Sequence, residues 1–291
     1  MKKIFVIGNP VKHSLSPEIH NHWLAKYEIN CVYDKLELDK DPDNLEIQQT
    51  DLARRIRSGE VIGVNITVPF KKRFQKHVDE EEQTAILAQA INTIYKRDNK
   101  LIGTNTDGMG FYNSLVKDFS CKVPQEIHIL GAGGASYGIL SELLNYNVRI
   151  VNISNRTESK ALIMANHFRK IKKFSSIKFY VRNICKPLSS TIGMFINTSS
   201  IGMKGNEVDE NKFKSLFTLL SKDAIVYDIN YNESQTIFNR LAEKQKLNAE
   251  KILNGKFMLI RQAAESFNKW FKIKLTKQDI DEGIKILETF I

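Results

Sequence analysis

The feature that most limits the fold of this chain is an alternation. Short apolar runs of strand length recur, each followed by a stretch with helical spacing. IFVIG (4–8), CVYDKLEL (31–38) and VIGVNITV (61–68) read as strands. A helix starts near Pro17 after the first, and residues 44–58 carry helical spacing after the second. Proline suits a first helical turn because its missing N–H would have no partner there. The order βαβαβ builds a parallel sheet covered by helices on both faces. AINTIY (90–95) and KLIGTNT (100–106), joined by Lys96-Arg97-Asp98-Asn99, add an antiparallel hairpin.

A second α/β series opens at Glu126, where IHILGAGGASYG runs from an apolar strand through a glycine turn into a helix. NVRIVNISNRT (147–157), IKFYV (177–181), MFINT (194–198) and AIVYDINY (224–231) supply further strands. From Gly255 to Ile291 the pattern is of two amphipathic helices. Phe257, Leu259, Ile260, Ala263, Ala264 and Phe267 are spaced to form one buried face. A chain of 291 residues exceeds what one hydrophobic core usually serves. The expected fold class is therefore two-domain α/β with mostly parallel sheets, the C-terminal helices returning to the first domain.

Bulk properties exclude several classes. The apolar run in MKKIFVIG is too short for a secretory signal. No stretch reaches the ~18 apolar residues of a membrane-spanning helix. Cys31, Cys121 and Cys185 are odd in number and widely spaced, which fits free thiols in a reducing, cytoplasmic setting. The net charge is +10, but its positives are scattered, with small clusters at Lys71-Lys72-Arg73 and Arg169–Lys173. No nucleic-acid motif surrounds them, so neither a nucleic-acid nor a membrane partner is expected.

Gly131, Ala132, Gly133, Gly134 and Ala135 stand between a strand and a helix. Glycines there let the backbone turn tightly and approach a pyrophosphate at the helix N-terminus. Ser136 occupies the third glycine position of the dinucleotide pattern and is small enough for close helix–strand packing. The next strand ends in Asn155-Arg156-Thr157 rather than in the acid, about 20 residues on, that accepts from the ribose of NAD. A guanidinium suits a 2′-phosphate, Thr157 adds a hydroxyl and a helix cap, and Lys160 adds charge one turn later. The cofactor implied is NADP.

The first domain places polar groups where packing alone needs none. Ser14 and Ser16 stand at the mouth of the first helix. Asn65 and Thr67 share a face of the third strand, with Lys71 just beyond. Asn92 and the segment Gly103–Gly108 supply an amide and the Asp107 carboxylate. Ligand sites of parallel sheets lie beyond the C-terminal strand ends, where the first two of these groups fall.

Taken together, HSLSP, NITVPFK, INT, GTNTDG, GAGGA, NRT and QAAESF resemble the shikimate dehydrogenase family. The motifs occur in that family's order and span Gly8 to Phe267. The resemblance implies an N-terminal substrate-binding catalytic domain of residues 1–106 plus 255–291, and a Rossmann-like NADP-binding domain of residues 107–254. It implies that Ser14 and Ser16 hold a substrate carboxylate, that Asn65, Thr67, Asn92 and Gln262 bind ring hydroxyls, and that Tyr231 lines the same site. Lys71 and Asp107 match the catalytic pair. Asn197-Thr198-Ser199-Ser200 stands where the family has an Asn-Ala-Thr loop near the pyrophosphate, with Thr198 and Ser199 at the cofactor. Gly255 and Met258 match nicotinamide contacts.

Three positions depart from the family: Lys160 for an arginine, Glu233 for a proline, and Lys256 for a small or apolar residue. The activity implied is reversible NADP-dependent reduction of 3-dehydroshikimate to shikimate, by a monomer or homodimer. The alternatives are a quinate/shikimate dehydrogenase using NAD and a non-catalytic nucleotide-sensing relative. His13, His20 and His22 are not spaced to share a metal, so none is expected, and the three cysteines read as packing residues.

Overall fold

Three parallel strands open the chain: β1 (Lys2–Gly8), β2 (Cys31–Glu37) and β3 (Val61–Ile66), with β1 in the middle. The crossovers are α1 (Ser16–Lys26) and α2 (Pro42–Ser58). α2 is bounded by its own chemistry. Asp41 accepts from the Asp43 and Asn44 N–H groups, Pro42 takes the first position, and Gly59 ends the helix at φ +80°.

The structure is a computed structural model that describes residues 1–203, 209–231, 233 and 235–291. Its sheet continues through β4 (Glu80–Glu81), α3 (Gln83–Ala88), β5 (Thr93–Arg97) and β6 (Lys100–Thr104), giving the strand order β2-β1-β3-β5-β6-β4. β5 is antiparallel to β3 and β6. The hairpin turns on Asp98 and Asn99, both at positive φ. Asp and Asn tolerate that conformation, and two such residues match the twist of the flanking strands. β4 and α3 have no clear periodicity in the sequence. They are held by pairing with β6 and by the burial of Ala85 and Ala88.

α4 (Asp107–Asn113) precedes the second sheet. That sheet is built from β7 (Glu126–Leu130), α5 (Gly134–Leu143), β8 (Ile150–Ser154), α6 (Glu158–Arg169), β9 (Lys178–Val181), β10 (Met194–Asn197), β11 (Ile225–Asp228), α7 (Ile237–Lys244) and β12 (Ile252–Asn254). All six strands are parallel, in the order β12-β11-β10-β7-β8-β9. This is the doubly wound dinucleotide-binding order, and the chain reverses direction across the sheet between β7 and β10. Leu130, Phe195, Val226, Phe217 and Phe238 fill one of its cores. Burying each such side chain contributes roughly 1.5–3 kcal/mol.

The last helices are α8 (Lys256–Phe271) and α9 (Lys277–Glu288). Ile260, Ala263 and Phe267 are buried on α8, joined by Met258 and Ser266. Phe257, Leu259 and Ala264 of the anticipated face are only half-buried. α9 returns to α1. Asp279 forms an ion pair with Lys26 at 2.7 Å and accepts from the Tyr27 hydroxyl at 2.8 Å, and its carbonyl accepts from Trp23 Nε1 at 3.1 Å.

The chain divides into one unit of Met1–Gly110 with Leu259–Phe290 and another of Phe111–Met258. Both divisions fall inside helices, α4 and α8, four residues beyond the sequence-based boundaries. No helix of the described residues is long and apolar enough to cross a membrane.

Candidate active site and nucleotide pocket

In the first unit a buried polar cluster forms where β3 ends and β5 begins. Asn92 is 2% exposed, and its amide donates to Asp107 Oδ1 at 2.8 Å and to Thr106 Oγ1 at 2.9 Å. Its carbonyl oxygen accepts from the Thr106 N–H and the Thr93 hydroxyl, both at 2.9 Å. Asn105 Oδ1 accepts from the Asp107 N–H at 3.0 Å, and the Asn105 amide is anchored on the Ala90 carbonyl. These bonds fix Asp107 at the start of α4, with its second oxygen directed to Lys71 Nζ at 2.5 Å. The pair is largely withdrawn from water, with side chains 18% and 7% exposed. A charged hydrogen bond is stronger in such surroundings than at a free surface.

Asn65 is equally engaged. Its amide reaches Thr93 Oγ1 at 2.9 Å and Ser266 Oγ at 3.0 Å, and its Oδ1 accepts from the Tyr33 hydroxyl at 2.7 Å. Thr67 lies one residue past the end of β3, its N–H still donating to the Ile7 carbonyl at 2.8 Å. Gln262 of α8 faces Thr106, whose hydroxyl donates to it at 3.4 Å. Ser14 Oγ accepts from the Ser16 N–H at 3.3 Å, at the opening of α1. Six of the seven substrate positions and the catalytic pair therefore fall in the first unit, whereas Tyr231, half-buried in the loop after β11, falls in the second. Burial raises the phenol of Tyr231.

Tyr33 and Ser266 complete the cluster; Tyr33 lies in no motif, and Ser266, inside QAAESF, is given no role by it. Only their partners identify them. His20 stacks on Tyr33 with ring centroids 4.3 Å apart, and burial lowers its imidazole to about 3, so it is neutral. His22 pairs with Glu282 at 3.1 Å. Among the described residues no group of three His, Cys, Asp or Glu side chains converges as metal ligands would.

In the second unit a cavity of about 850 Å³ opens where the sheet reverses. Gly131, Ala132 and Gly133 line it, as do Asn155, Arg156, Thr157, Lys160, Thr198 and Ser199. Gly131 has φ +115°, and a side chain there would meet Thr198. A Cβ on Gly133 would meet nothing within 4 Å, so no protein atom explains the glycine. Ser136 Oγ accepts from the Gly133 N–H at 3.1 Å and bonds Thr198 Oγ1 at 2.6 Å. Serine in place of a third glycine thus ties the turn to the β10 loop. The open Gly133 face, the start of α5 and the cations Arg156 and Lys160 suit a phosphorylated dinucleotide.

Several anticipated features differ. Thr157 occupies the N-cap of α6, but its hydroxyl makes no capping bond. Asn155 instead donates to the Thr157 carbonyl at 2.8 Å. Gly134, Ala135, Gly255 and Met258 do not line the cavity. Gly255 packs backbone against Ile229, leaving no room for a Cβ, and Met258 is 7% exposed. Cys31 and Cys121 are buried, but Cys185 is exposed on the cavity wall and is not a packing residue. Glu158, Arg182 and Asn183 also line the cavity and were missed, and Ser200 of the anticipated Asn197–Ser200 loop lines it too. The rule that ligands gather beyond strand ends, applied to IKFYV, points to Arg182 and Asn183.

Asp228 lies behind the β10 loop, bonded to Asn197. It is fully buried at the end of β11. Its Oδ1 accepts from the Asn197 amide at 2.8 Å and the Asn230 N–H at 3.1 Å, and Asn197 Oδ1 in turn accepts from the Ser199 N–H at 3.0 Å. Burial pushes the Asp228 carboxyl up to about 6, against the pull of those donors.

Residues 6–94 match the family described as "Shikimate dehydrogenase substrate binding domain". A shikimate dehydrogenase (NADP⁺) of Pelagibacter ubique is 42% identical over 276 residues, covering 94% of this chain and 95% of the relative. A crystal structure of a shikimate dehydrogenase in complex with NADP⁺ superposes with a TM-score of 0.83 at 30% identity, covering 100% of this chain and 96% of the other. The shikimate dehydrogenase of Aquifex aeolicus gives 0.80 at 30% identity, with 98% of each chain covered.

Proposed function

The chain belongs to the shikimate dehydrogenase family, and from that premise we propose which of its own residues carry the reaction. It is an NADP-dependent oxidoreductase that interconverts 3-dehydroshikimate and shikimate, a step toward chorismate and the aromatic amino acids. Bound NADPH supplies the hydride. The protein's task is to bind and orient the ketone and to hold a proton at its oxygen.

The observation that carries the assignment is the Lys71–Asp107 pair. Reduction turns a carbonyl oxygen into a hydroxyl, and an ammonium held at that oxygen stabilises the developing charge and delivers the proton. Asp107, fixed by Asn92 and Asn105, orients the ammonium and accepts from the substrate hydroxyl in the reverse direction. Residues 1–106 and 255–291 serve as the substrate domain and 107–254 as the NADP domain in this reading. Ser14 and Ser16 bind the carboxylate at the opening of α1, Asn65, Thr67, Asn92 and Gln262 bind ring oxygens, and Tyr231 lines the same site. Asn65 and Asn92 exchange an internal hydrogen bond to do so, since their amides are already engaged.

On the cavity wall Gly131–Gly133 and Thr198–Ser199 serve the pyrophosphate, with Gly134 and Ala135 at the start of α5, and Asn155, Arg156, Thr157 and Lys160 serve the adenosine 2′-phosphate; Gly255 and Met258, outside that lining, serve the nicotinamide side. The chain works in the cytoplasm as a monomer or homodimer, consistent with its three free thiols. Steady-state assays of 3-dehydroshikimate and 3-dehydroquinate against NADPH and NADH test the reading. Turnover of 3-dehydroshikimate with NADPH is expected, and preference for 3-dehydroquinate with NADH would replace it with a quinate dehydrogenase.

A further inference from the structure

Glu158 is the first residue of α6 and lines the same cavity as Arg156 and Lys160. The side chains of all three make no hydrogen bond or ion pair among the described residues. Two cations and one carboxylate therefore stand unneutralised on one wall, within five residues of one another. Had Glu158 been paired with either cation, the wall would carry one silent pair and one positive charge. Unpaired, each charge acts separately on whatever occupies the cavity.

We propose that Glu158 is a specificity-determining residue that weakens the preference for NADP over NAD, so that this enzyme uses NADH to a measurable extent. The inference rests on the NADP reading above and deepens it. A 2′-phosphate at Arg156 and Lys160 is attracted by both cations and repelled by the Glu158 carboxylate. A ribose lacking that phosphate meets no repulsion, and its free 2′-hydroxyl finds in Glu158 an acceptor of the type that NAD sites employ. Lysine at 160 adds to the effect, because an ammonium gives a phosphate a point charge rather than the paired donors of a guanidinium.

An acidic residue in a first helical turn also serves the helix, where it meets the positive end of the dipole. The two roles separate experimentally. A helix role changes stability and affects both cofactors alike, whereas a specificity role changes their ratio.

The test compares wild type, Glu158→Gln and Glu158→Asp as full chains. It measures kcat/KM for NADPH and NADH with 3-dehydroshikimate, at low ionic strength and in about 0.5 M salt. Like charges several ångströms apart at a wet surface repel enough to change binding about three- to tenfold, less when screened. Glu158→Gln should raise the NADPH/NADH ratio by that factor at low salt, chiefly through KM for NADPH, with a smaller gain in high salt. Glu158→Asp should keep the wild-type ratio. A ratio within about 1.5-fold of wild type in Glu158→Gln, or equal changes for both cofactors, overturns the inference. Absence of any NADPH turnover by the wild type would instead remove the functional reading beneath it.

Discussion

Lys71 and Asp107 lie 36 residues apart in sequence, yet Lys71 Nζ and Asp107 Oδ2 approach to 2.5 Å. Neither residue is held by the other alone. The Lys71 carbonyl accepts from the Ile91 N–H at 2.8 Å, beside Asn92, whose amide holds the other Asp107 oxygen at 2.8 Å. The start of β5 thus braces both members of the pair.

Lys71→Ala should lower kcat by about 10²–10⁴-fold, the usual scale of acid–base assistance, while the Kd for NADPH stays within twofold. Single-turnover kinetics together with fluorescence titration of NADPH separate the two quantities. An unchanged kcat would remove Lys71 from the mechanism.

The two glycines of the nucleotide turn should behave differently. Gly133→Ala adds a methyl group that meets no protein atom at an ordinary φ of −95°, so thermal stability should hold or rise slightly. NADPH affinity should fall tenfold or more, since the space the methyl takes is the ligand's. Gly131→Ala, at φ +115° against Thr198, should cost about 1–3 kcal/mol of stability as well. Melting curves with and without NADPH distinguish them.

Arg156→Ala should raise KM for NADPH by about tenfold or more and change KM for NADH by less than about twofold, because a charged hydrogen bond to phosphate is lost only with the phosphorylated cofactor. Parallel increases for both cofactors would place Arg156 away from the 2′-phosphate.

Asp228 predicts a pH-dependent stability. Its folded value, about 6, lies above the ordinary 3.8, so between those values the folded chain holds a proton that the unfolded chain has lost. The contribution is therefore fully present below about pH 4 and is lost as pH rises through about 6, a change of up to about 3 kcal/mol. Glu233 adds to the shift, whereas Asn197, Asn230 and Thr236 oppose it. Urea unfolding of wild type and Asp228→Asn between pH 4 and 7 isolates the group, since other titrations are shared. The wild type should lose stability relative to the variant as pH rises, and a constant difference would contradict the assignment.

The sequence itself determined the two α/β series, the positions of most strands and the residues of the glycine turn. Apolar period, proline and glycine are local signals, and the backbone obeys them wherever the rest of the chain lies. It also marked Lys71 and Asp107 as candidates through the motifs around them. Tertiary structure alone decided that Asn92 and Asn105 brace Asp107, that Tyr33 and Ser266 saturate Asn65, and that Gly255 answers to the Ile229 backbone. It also set Cys185 and Glu158 on the cavity wall. Hydrogen-bond partners and exposure depend on groups brought from distant parts of the chain, and no local pattern records which of them will meet.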